Sequence, residues 1–280
     1  MTVDLHLHSS VSDGEDSPEE VMALAARAGL THAALMDHDT LGGIDRARLA
    51  AEDLGLGFIP GVELSVDHGN TKIHMLVYFL EPGEGPLQAE LSALRDGRNN
   101  RNTRIVERLN ALGYEITLDD VRRHAAGPSV GRPHIADALV EKGYIASRDD
   151  AFTDLLHDGG AAYIERTRLT ARDAIRLARE SVAVPVIAHP VTMNLTRDGY
   201  ASTFIELTGL GLGGIEAHHP MHDGALRVHL TELAAQLGIA ATGGSDYHGA
   251  TKRAYGVGIG KGDLRVPESA VEQLNEQRDQ

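Results

Sequence analysis

Nine side chains of the types that bind divalent metals stand at the ends of segments that read as β-strands, spread over most of the chain. They are His6, His8, Asp13, His38, Glu63, His74, His189, Asp246 and His248. A fold that uses them together must bring the ends of several strands to one place, and the carboxyl face of an α/β barrel does this. The pattern therefore predicts a multinuclear metal site on an α/β scaffold.

The residue types limit which metals fit. The chain contains no cysteine, so thiolate ligands are excluded. Imidazole nitrogen and carboxylate oxygen suit Mn, Fe and Zn. Because one ion takes about four to six ligands, nine candidates predict two or three divalent ions. Neighbouring ions need a bridging carboxylate, and we expect Glu63 to supply it.

Local spacing supports the pattern. Strand alternation places His6 and His8 on one face and the leucines between them on the other. Asp246 and His248 repeat this spacing after a run of small residues. A single histidine beside a strand is more often a packing residue than a ligand, so the prediction depends on the accumulation of these signals.

Composition is consistent with a large α/β domain. The chain has 280 residues, with four Phe, seven Tyr and no Trp, so the core must come mostly from aliphatic residues, as in a sheet wrapped by helices. The net charge of −15 argues against stable binding to duplex nucleic acid or to an anionic membrane. The first ten residues lack the apolar core of a secretion signal and no run is long enough to span a membrane, so we expect a cytoplasmic protein.

Strand-like and helical segments alternate along most of the chain. Strand-like runs lie near residues 3–8, 32–38, 57–66, 72–80, 184–189, 214–219 and 240–246. Ser17-Pro18-Glu19-Glu20 and Thr170-Ala171-Arg172-Asp173 have the pattern of helix N-termini. This alternation predicts an α/β barrel formed by residues 1–81 and 161–280. Residues 82–160 show only helical patterns and are predicted to form an all-helical insertion that overhangs the site.

The metal-binding motifs resemble one known family. His6-x-His8, Asp37-His38-Asp39, Gly61-Val62-Glu63, Ala188-His189-Pro190 and Ser245-Asp246-x-His248 are similar to motifs of the polymerase and histidinol phosphatase (PHP) family, together with Asp13 and His74. The resemblance is narrower to the small stand-alone bacterial phosphoesterases of that family, which act on nucleotides and short RNA ends. It implies a distorted seven-stranded (β/α) barrel that holds a trinuclear metal cluster.

The resemblance also implies how the ligands are shared among the ions. His6, His8, Glu63 and Asp246 would hold one ion, Glu63, His74 and His189 a second, and Asp13, His38 and His248 a third. The segment Gly131-Arg132-Pro133-His134 looks like the one with which these relatives grip substrate phosphate, which makes Arg132 and His134 candidate substrate-binding residues. The alternative is that Arg132 is a solvated cation at a helix start and His134 a cap.

These residues predict hydrolysis of a phosphate ester. A water bridging two cations would be the nucleophile, because coordination lowers its pKa from 15.7 to about 7. Asp246 or His219 would protonate the leaving group. Four arginines, Arg98, Arg101, Arg104 and Arg108, recur at helical spacing. They could attract a polyanion, but the favoured interpretation is a solvated helix face.

Two other functions compete with phosphoester hydrolysis of a nucleotide or short RNA end. An amide or amine hydrolase on a related barrel would bridge its metals with a carbamylated lysine, yet none of the four lysines, Lys72, Lys142, Lys252 and Lys261, ends a strand-like run. A non-catalytic, polymerase-associated module would be expected to have lost ligands. The motif Gly209-x-Gly211-x-x-Gly214 precedes a strand-like run, so we reject it as a dinucleotide fingerprint.

Overall fold

The computed structural model describes residues 2–125, 130–165, 168–250 and 254–279. Its strands are β1 (Thr2–Leu7), β2 (His32–Leu35), β3 (Gly57–His68), β4 (Thr71–Tyr78), β5 (Leu169–Thr170), β6 (Val184–Ile187), β7 (Gly214–His218), β8 (Ala240–Gly243) and β9 (Val266–Pro267). Its α-helices are α1 (Pro18–Arg27), α2 (Ile44–Asp53), α3 (Pro86–Ala111), α4 (Leu118–Arg122), α5 (Arg132–Glu141), α6 (Arg148–Ala151), α7 (Ala171–Glu180), α8 (Arg197–Gly209), α9 (Gly224–Leu237) and α10 (Ser269–Arg278). A π-helical turn, Phe152–Leu156, follows α6, and a 3₁₀ turn, Pro190–Met193, follows β6.

The strands form one nearly closed barrel-shaped sheet in the order β8-β7-β6-β4-β3-β2-β1-β9, with β5 paired to β3. The segment after β8 approaches β1, where a parallel bridge joins Leu7 to Tyr247 and the Asp246 N–H donates to the His6 carbonyl at 2.9 Å. All seven predicted strands are present, and the predicted distorted α/β barrel is confirmed. The rejected glycine motif runs into β7, which begins at Gly214.

One strand departs from parallel α/β order. Strand β4 runs antiparallel to both β3 and β6, and a tight turn through Gly69, with φ of 58°, replaces the crossover helix. The start of β4 therefore lies at the same rim as the carboxyl ends of its neighbours. This reversal brings His74, in the first half of β4, to the face where the parallel strands end.

Two helix starts have the caps that the sequence predicts. The Ser17 side chain accepts from the Glu20 N–H while the Glu20 carboxylate accepts from the Ser17 N–H, a complete capping box. Thr170 caps α7 by accepting from the Asp173 N–H. Among the described residues, no helix combines the length and the apolar character needed to cross a bilayer.

The described part of residues 82–160 is helical, as predicted, but α3 belongs to two cores. Leu87 and Leu91, near its start, are buried in the main barrel core. Ile105 and Leu109, near its end, pack in a separate core with α5 and the π-helical turn. This long helix therefore ties the helical segment to the barrel, while the exact domain boundaries at residues 82 and 160 stay predictions.

Candidate metal centre

The structure brings all nine predicted ligand residues together at one rim of the barrel. Within each of three overlapping groups the ligand atoms lie within 4.8 Å of one another. The groups are His6, His8, Glu63 and Asp246; Glu63, His74 and His189; and His8, Asp13, His38 and His248. They agree with the three sets implied by the family resemblance, except that His8 also reaches the third. We call the nine residues the metal cradle.

Strand geometry explains the convergence. His6 lies in β1, where Leu5 and Leu7 are fully buried on the opposite face. His38 follows β2 and forms a bridge with Glu63 in β3. His189, Asp246 and His248 follow the ends of β6 and β8. Each of these side chains therefore projects from the rim of the barrel, where strand pairing already fixes the backbone.

Three residues at this rim have a left-handed backbone that non-glycine residues rarely adopt. Their φ angles are 54° at Asp39, 28° at His189 and 51° at Asp246. The N–H of each is anchored: to the Glu63 carbonyl at 3.0 Å, to the Glu216 carboxylate at 2.6 Å and to the His6 carbonyl at 2.9 Å, respectively. Such conformations cost about 1–3 kcal/mol each and cluster at functional sites.

The donor atoms fit a cation. His6 Nε2 and His8 Nε2 lie 3.1 Å apart, and both face Glu63 Oε2, at 3.3 and 3.1 Å. Two imidazole lone pairs cannot face each other at this distance unless a proton or a metal ion lies between them. The Glu63 carboxylate spans two groups, because its other oxygen lies 2.8 Å from His74 Nδ1 and 3.1 Å from His189 Nε2. These distances suit a bridging ligand.

Burial and neighbouring charges shift the pKa values of the cradle residues in different directions. Burial raises the pKa of the Glu63 carboxyl, but the imidazoles of His38 and His74 outweigh it and hold this pKa well below its ordinary value. Burial lowers the pKa of His38 to about 3. For His6, burial is outweighed by the carboxylates of Glu216 and Glu63, which raise its pKa well above the ordinary value. Because a metal ligand must be deprotonated, metal binding here releases protons.

Three further buried carboxylates lie behind the cradle and support it, and of these only Asp37 belongs to a motif identified in the sequence. Glu216 accepts from His6 Nδ1 at 2.9 Å. Asp37 accepts from the hydroxyls of Ser9 and Ser12, beside Asp13. Asp4 accepts from the Ser245 and Gly258 N–H groups. A signal for two of them was present, because Asp4 and Glu216 are single charged residues inside otherwise apolar strand segments.

A cavity of about 340 Å³ opens beside the cradle. It is lined by Asp13, His38, Ser65, Lys72, Ile73, His74, Arg98, Arg101, Gly131, Arg132, Pro133, Phe152, Asp158 and Arg168. We call its five cations, Lys72, Arg98, Arg101, Arg132 and Arg168, the cation wall. A larger cleft of about 700 Å³ lies elsewhere, but Glu15, Asp137, Glu141 and Asp149 make it predominantly acidic and no cradle residue lines it. The smaller cavity is therefore the one suited to an anion.

The interpretation of the four arginines as a solvated face is wrong for two of them. Arg98 and Arg101 are only 8% and 7% exposed, because this side of α3 turns toward the barrel rim. Arg98 Nη2 donates to the buried carboxylate of Asp39. Arg104 and Arg108 are exposed, as expected. The spacing of three residues between Arg98 and Arg101 was the available signal, but it does not say which way the helix faces.

The two predicted phosphate contacts have different surroundings. Arg132 begins α5 and also lines the cavity, where its Nη1 donates to the Leu156 carbonyl at 2.8 Å and to Asp158 at 3.2 Å. His134 is 1% exposed, and its Nδ1 accepts from the Gly131 N–H as a helix cap. His134 does not line the cavity. The structure thus supports the cap interpretation of His134 that the sequence left open.

His219 reaches the cradle, as predicted. It is fully buried, and its Nε2 lies 3.5 Å from Asp246 Oδ2. The Met221 N–H donates to its Nδ1 at 3.2 Å, so the neutral ring carries its proton on Nε2, toward Asp246. His222 is oriented away from the cradle: its Nδ1 donates to the Ala217 carbonyl and its Nε2 accepts from the Val191 N–H.

Residues 4–144 match the family model described as PHP domain. Sequence relatives also share most of their length with this chain. The phosphoribosyl 1,2-cyclic phosphate 1,2-diphosphodiesterase of Eggerthella lenta is 34% identical over 272 residues, which cover 95% of this chain and 100% of that protein. The 3',5'-nucleoside bisphosphate phosphatase of Chromobacterium violaceum is 32% identical over 251 residues, covering 88% and 87% of the two chains.

Solved structures give the same picture of the fold. A candidate metal-dependent phosphoesterase from Bifidobacterium adolescentis superposes with a TM-score of 0.86 at 30% identity, over 98% of this chain and 96% of that one. A structure described as an amidohydrolase from Chromobacterium violaceum, with bound sulfate and no metal, has a TM-score of 0.87 at 29% identity, over 99% and 97%. Both similarities extend over the barrel and the helical segment.

Proposed function

Because this chain belongs to the PHP domain family, we propose that it hydrolyses phosphate esters of nucleotides or short oligonucleotides at the metal cradle. The observation that carries the proposal is the placement of three ligand groups, joined through Glu63 and His8, beside a cavity with five cations. Metal ligands and phosphate-binding groups are the two components that phosphoryl transfer to water requires. The helical segment supplies three of the cations and the barrel supplies the metal ligands.

The cradle residues would hold two or three divalent ions of Mn, Fe or Zn. Glu63 would bridge two of them, since its two carboxylate oxygens face different groups. When bound, such ions lower the pKa of a coordinated water to about 7 and so supply a nucleophile at neutral pH. The oxygen- and nitrogen-rich donor set suits these metals.

The cation wall would bind and orient the substrate phosphate. Arginine offers two parallel N–H donors to phosphate oxygens, and Arg98 and Arg101 are already buried at the cavity, with little side-chain freedom left to lose. The protein as a whole carries a net charge of −15, so an anionic substrate must be captured by this local concentration of positive charge. Small phosphorylated substrates fit such a confined surface better than duplex nucleic acid.

His219 would donate a hydrogen bond to the leaving oxygen. Its Nε2–H points to the cradle, 3.5 Å from the Asp246 carboxylate. Because its Nδ1 accepts from the Met221 N–H, the neutral ring can share this hydrogen with a developing negative charge but cannot give it up. In this assignment Asp246 has a ligand oxygen toward His8 and an orienting oxygen toward His219. Of the two general acids predicted from the sequence, His219 is therefore given a hydrogen-bonding role, and Asp246 stays a prediction.

An amide hydrolase that uses a carbamylated lysine fits the described residues poorly. Lys72 Nζ is engaged by Asp158 and Tyr163 in the cavity, and Lys142 pairs with Asp120 in the helical segment. Lys261 stacks on Tyr255. These contacts engage the ammonium groups of all three, and Lys252 lies outside the described residues.

The test is metal removal followed by reconstitution. The chelated protein and preparations loaded with Mn²⁺, Fe²⁺ or Zn²⁺ would be assayed against nucleoside monophosphates, 3',5'-bisphosphates, cyclic esters, short RNA and an amide panel. We expect phosphate release that disappears on chelation and returns with metal. Turnover of the amide panel alone, or phosphate release that is unaffected by chelation, would contradict the proposal.

A further inference from the structure

Glu216 has a carboxylate with both oxygens engaged by the metal cradle. It lies in β7, is fully buried, and faces the ends of β1 and β6. One oxygen accepts from His6 Nδ1 at 2.9 Å, and the other accepts from the backbone N–H of His189 at 2.6 Å. A single side chain therefore contacts residues of two different ligand groups without itself belonging to one.

The first contact fixes which nitrogen of His6 is available. A carboxylate can only accept, so Nδ1 must carry a hydrogen, and in the neutral ring Nε2 then has the free lone pair. This Nε2 is the atom that lies 3.1 Å from His8 Nε2 and 3.3 Å from Glu63. The contact thus orients the lone pair of His6 toward the first ligand group.

The second contact holds the backbone that carries another ligand. His189 has φ of 28° and ψ of 62°, a conformation that is unfavourable for a residue with a Cβ. Its N–H would be buried without an acceptor if the Glu216 carboxylate were absent. The ring of His189 reaches Glu63 at 3.1 Å from this strained position.

We infer that Glu216 is a positioning residue that couples two of the three ligand groups, the one that contains His6 and the one that contains His189. The inference rests on the proposed function, because it takes these groups to be metal sites. Among the described contacts, Glu216 reaches none of Asp13, His38 and His248. Its loss should therefore weaken the first two sites and spare the third.

Glu216→Gln is the informative substitution because it preserves shape and changes only hydrogen-bonding roles. An amide offers one acceptor oxygen and one donor nitrogen. The His189 N–H requires the oxygen, which leaves the amide N–H₂ facing His6 Nδ1. His6 must then accept at Nδ1 and carry its proton on Nε2, where a metal would bind.

The experiment is a Zn²⁺ titration of the full chain with ¹⁵N-labelled histidines, followed by NMR. Each ring reports its own site, because zinc coordination shifts the nitrogen that binds. In Glu216→Gln we expect His6 and His189 to need about 10- to 100-fold more Zn²⁺ for their shifts than in the wild type. His38 and His248 should respond at unchanged concentrations. Equal zinc responses of all four rings in both proteins would overturn the inference.

Thr242→Val is the matched control. Thr242 pairs with Glu216 across β7 and β8 and is fully buried, so this variant removes a neighbouring polar group at nearly constant volume. Its zinc responses should equal those of the wild type, and a loss like that of Glu216→Gln would indicate general disruption of the barrel and contradict a specific role.

The wild type alone gives a second test that does not depend on how the variant folds. Zinc-loaded His6 should coordinate through Nε2 and retain a hydrogen-bonded Nδ1–H, whereas coordination through Nδ1 would overturn the inference. If no cradle histidine of the wild type responds to zinc, the proposed function fails instead, so the two failures are distinguishable.

Discussion

The metal cradle and the cation wall face the same cavity but are built on different physical principles. Cradle residues lie within strands or in the segments that follow them at one rim of the barrel, and most are buried, with further buried carboxylates behind them. The cation wall consists of long side chains from β4, from the helical segment and from Arg168, just before β5. The side chains of Lys72 and Arg132 are 34% and 25% exposed. The cradle is preorganised, whereas part of the wall is neutralised by nearby carboxylates that a ligand can replace.

This difference predicts different consequences of mutation. Loss of a cradle residue leaves a gap in a fixed set of donors that nothing else can fill. Loss of a wall residue leaves four other cations around a solvated cavity. We therefore expect the cradle to control turnover and the wall to control binding.

The largest expected effect is the loss of turnover in His38→Ala. The two nitrogens of the His38 ring face different carboxylates: Nδ1 lies 3.4 Å from Glu63 Oε2, and Nε2 lies 3.8 Å from Asp13 Oδ2. Removing it should lower kcat by about 10³-fold, as for other groups that act in the transition state. The thermal unfolding curve should change little. His68→Ala is the control, because His68 ends β3 outside every ligand group.

The next effect is on stability and concerns a buried histidine behind the cradle. Burial lowers the pKa of His222 to about 4, and both ring nitrogens make bonds that require the neutral form. Between the ordinary pKa of about 6.5 and pH 4, the imidazole is protonated in the unfolded chain but not in the folded protein. The free energy of unfolding should therefore decrease as the pH is lowered. Over this window the loss from this group should be about 3 kcal/mol.

His222→Gln isolates that contribution. The glutamine amide can donate to the Ala217 carbonyl and accept from the Val191 N–H but does not titrate. Urea unfolding in the presence of a chelator, at pH values from 7 to 4, should show a shallower decline for the variant than for the wild type. Identical pH dependence of the two proteins would mean that His222 is not held neutral.

The cradle could be predicted from the sequence because most of its ligands sit in short local patterns within or just after an apolar strand-like run. His6-x-His8 and Asp246-x-His248 needed only alternation, and the strands themselves were visible as apolar runs. The reversal of β4 was not predicted, because apolar periodicity does not give strand direction. His74 reached the correct rim only through that reversal.

The cation wall was harder to predict because helical spacing does not say which face is buried. Arg98 and Arg101 have the same spacing as their exposed neighbours, and only the packing of α3 against the barrel distinguishes them. His134 is a different case, because its Nδ1 caps its own helix while its role in phosphate binding stays a prediction. The burial of the two arginines is set by tertiary packing, whereas the His134 cap is a local interaction.

A smaller effect is expected in the wall itself. Arg101→Ala removes a nearly buried guanidinium from the cavity and should raise KM about tenfold with a modest change in kcat, because charge-assisted bonds to phosphate are lost. Arg104→Ala removes the same charge from the exposed side of the same helix and should leave both parameters unchanged. Equal effects of the two variants would mean that only the overall charge of α3 matters.

The smallest expected effect is a gain in substrate affinity when the carboxylate of Asp158, beside the cation wall, is neutralised. Asp158 lies between two cations, 2.8 Å from Lys72 Nζ and 3.2 Å from Arg132 Nη1. Burial opposes its ionisation, but Lys72 outweighs burial and holds the pKa of Asp158 below its ordinary value. The charged carboxylate therefore occupies the position between these cations that a phosphate oxygen would take.

Both cations have other supports and should stay in place when Asp158 is changed. Arg132 donates to the Leu156 carbonyl, and Lys72 contacts Tyr163. Half-exposed ion pairs are weak, so Asp158→Asn should lower KM only about threefold. Asp154→Asn, which removes an exposed carboxylate of the π-helical turn, should leave KM unchanged. A higher KM in Asp158→Asn would show that this carboxylate arranges the wall for substrate, and the contrast between a preorganised cradle and a neutralised wall would then be lost.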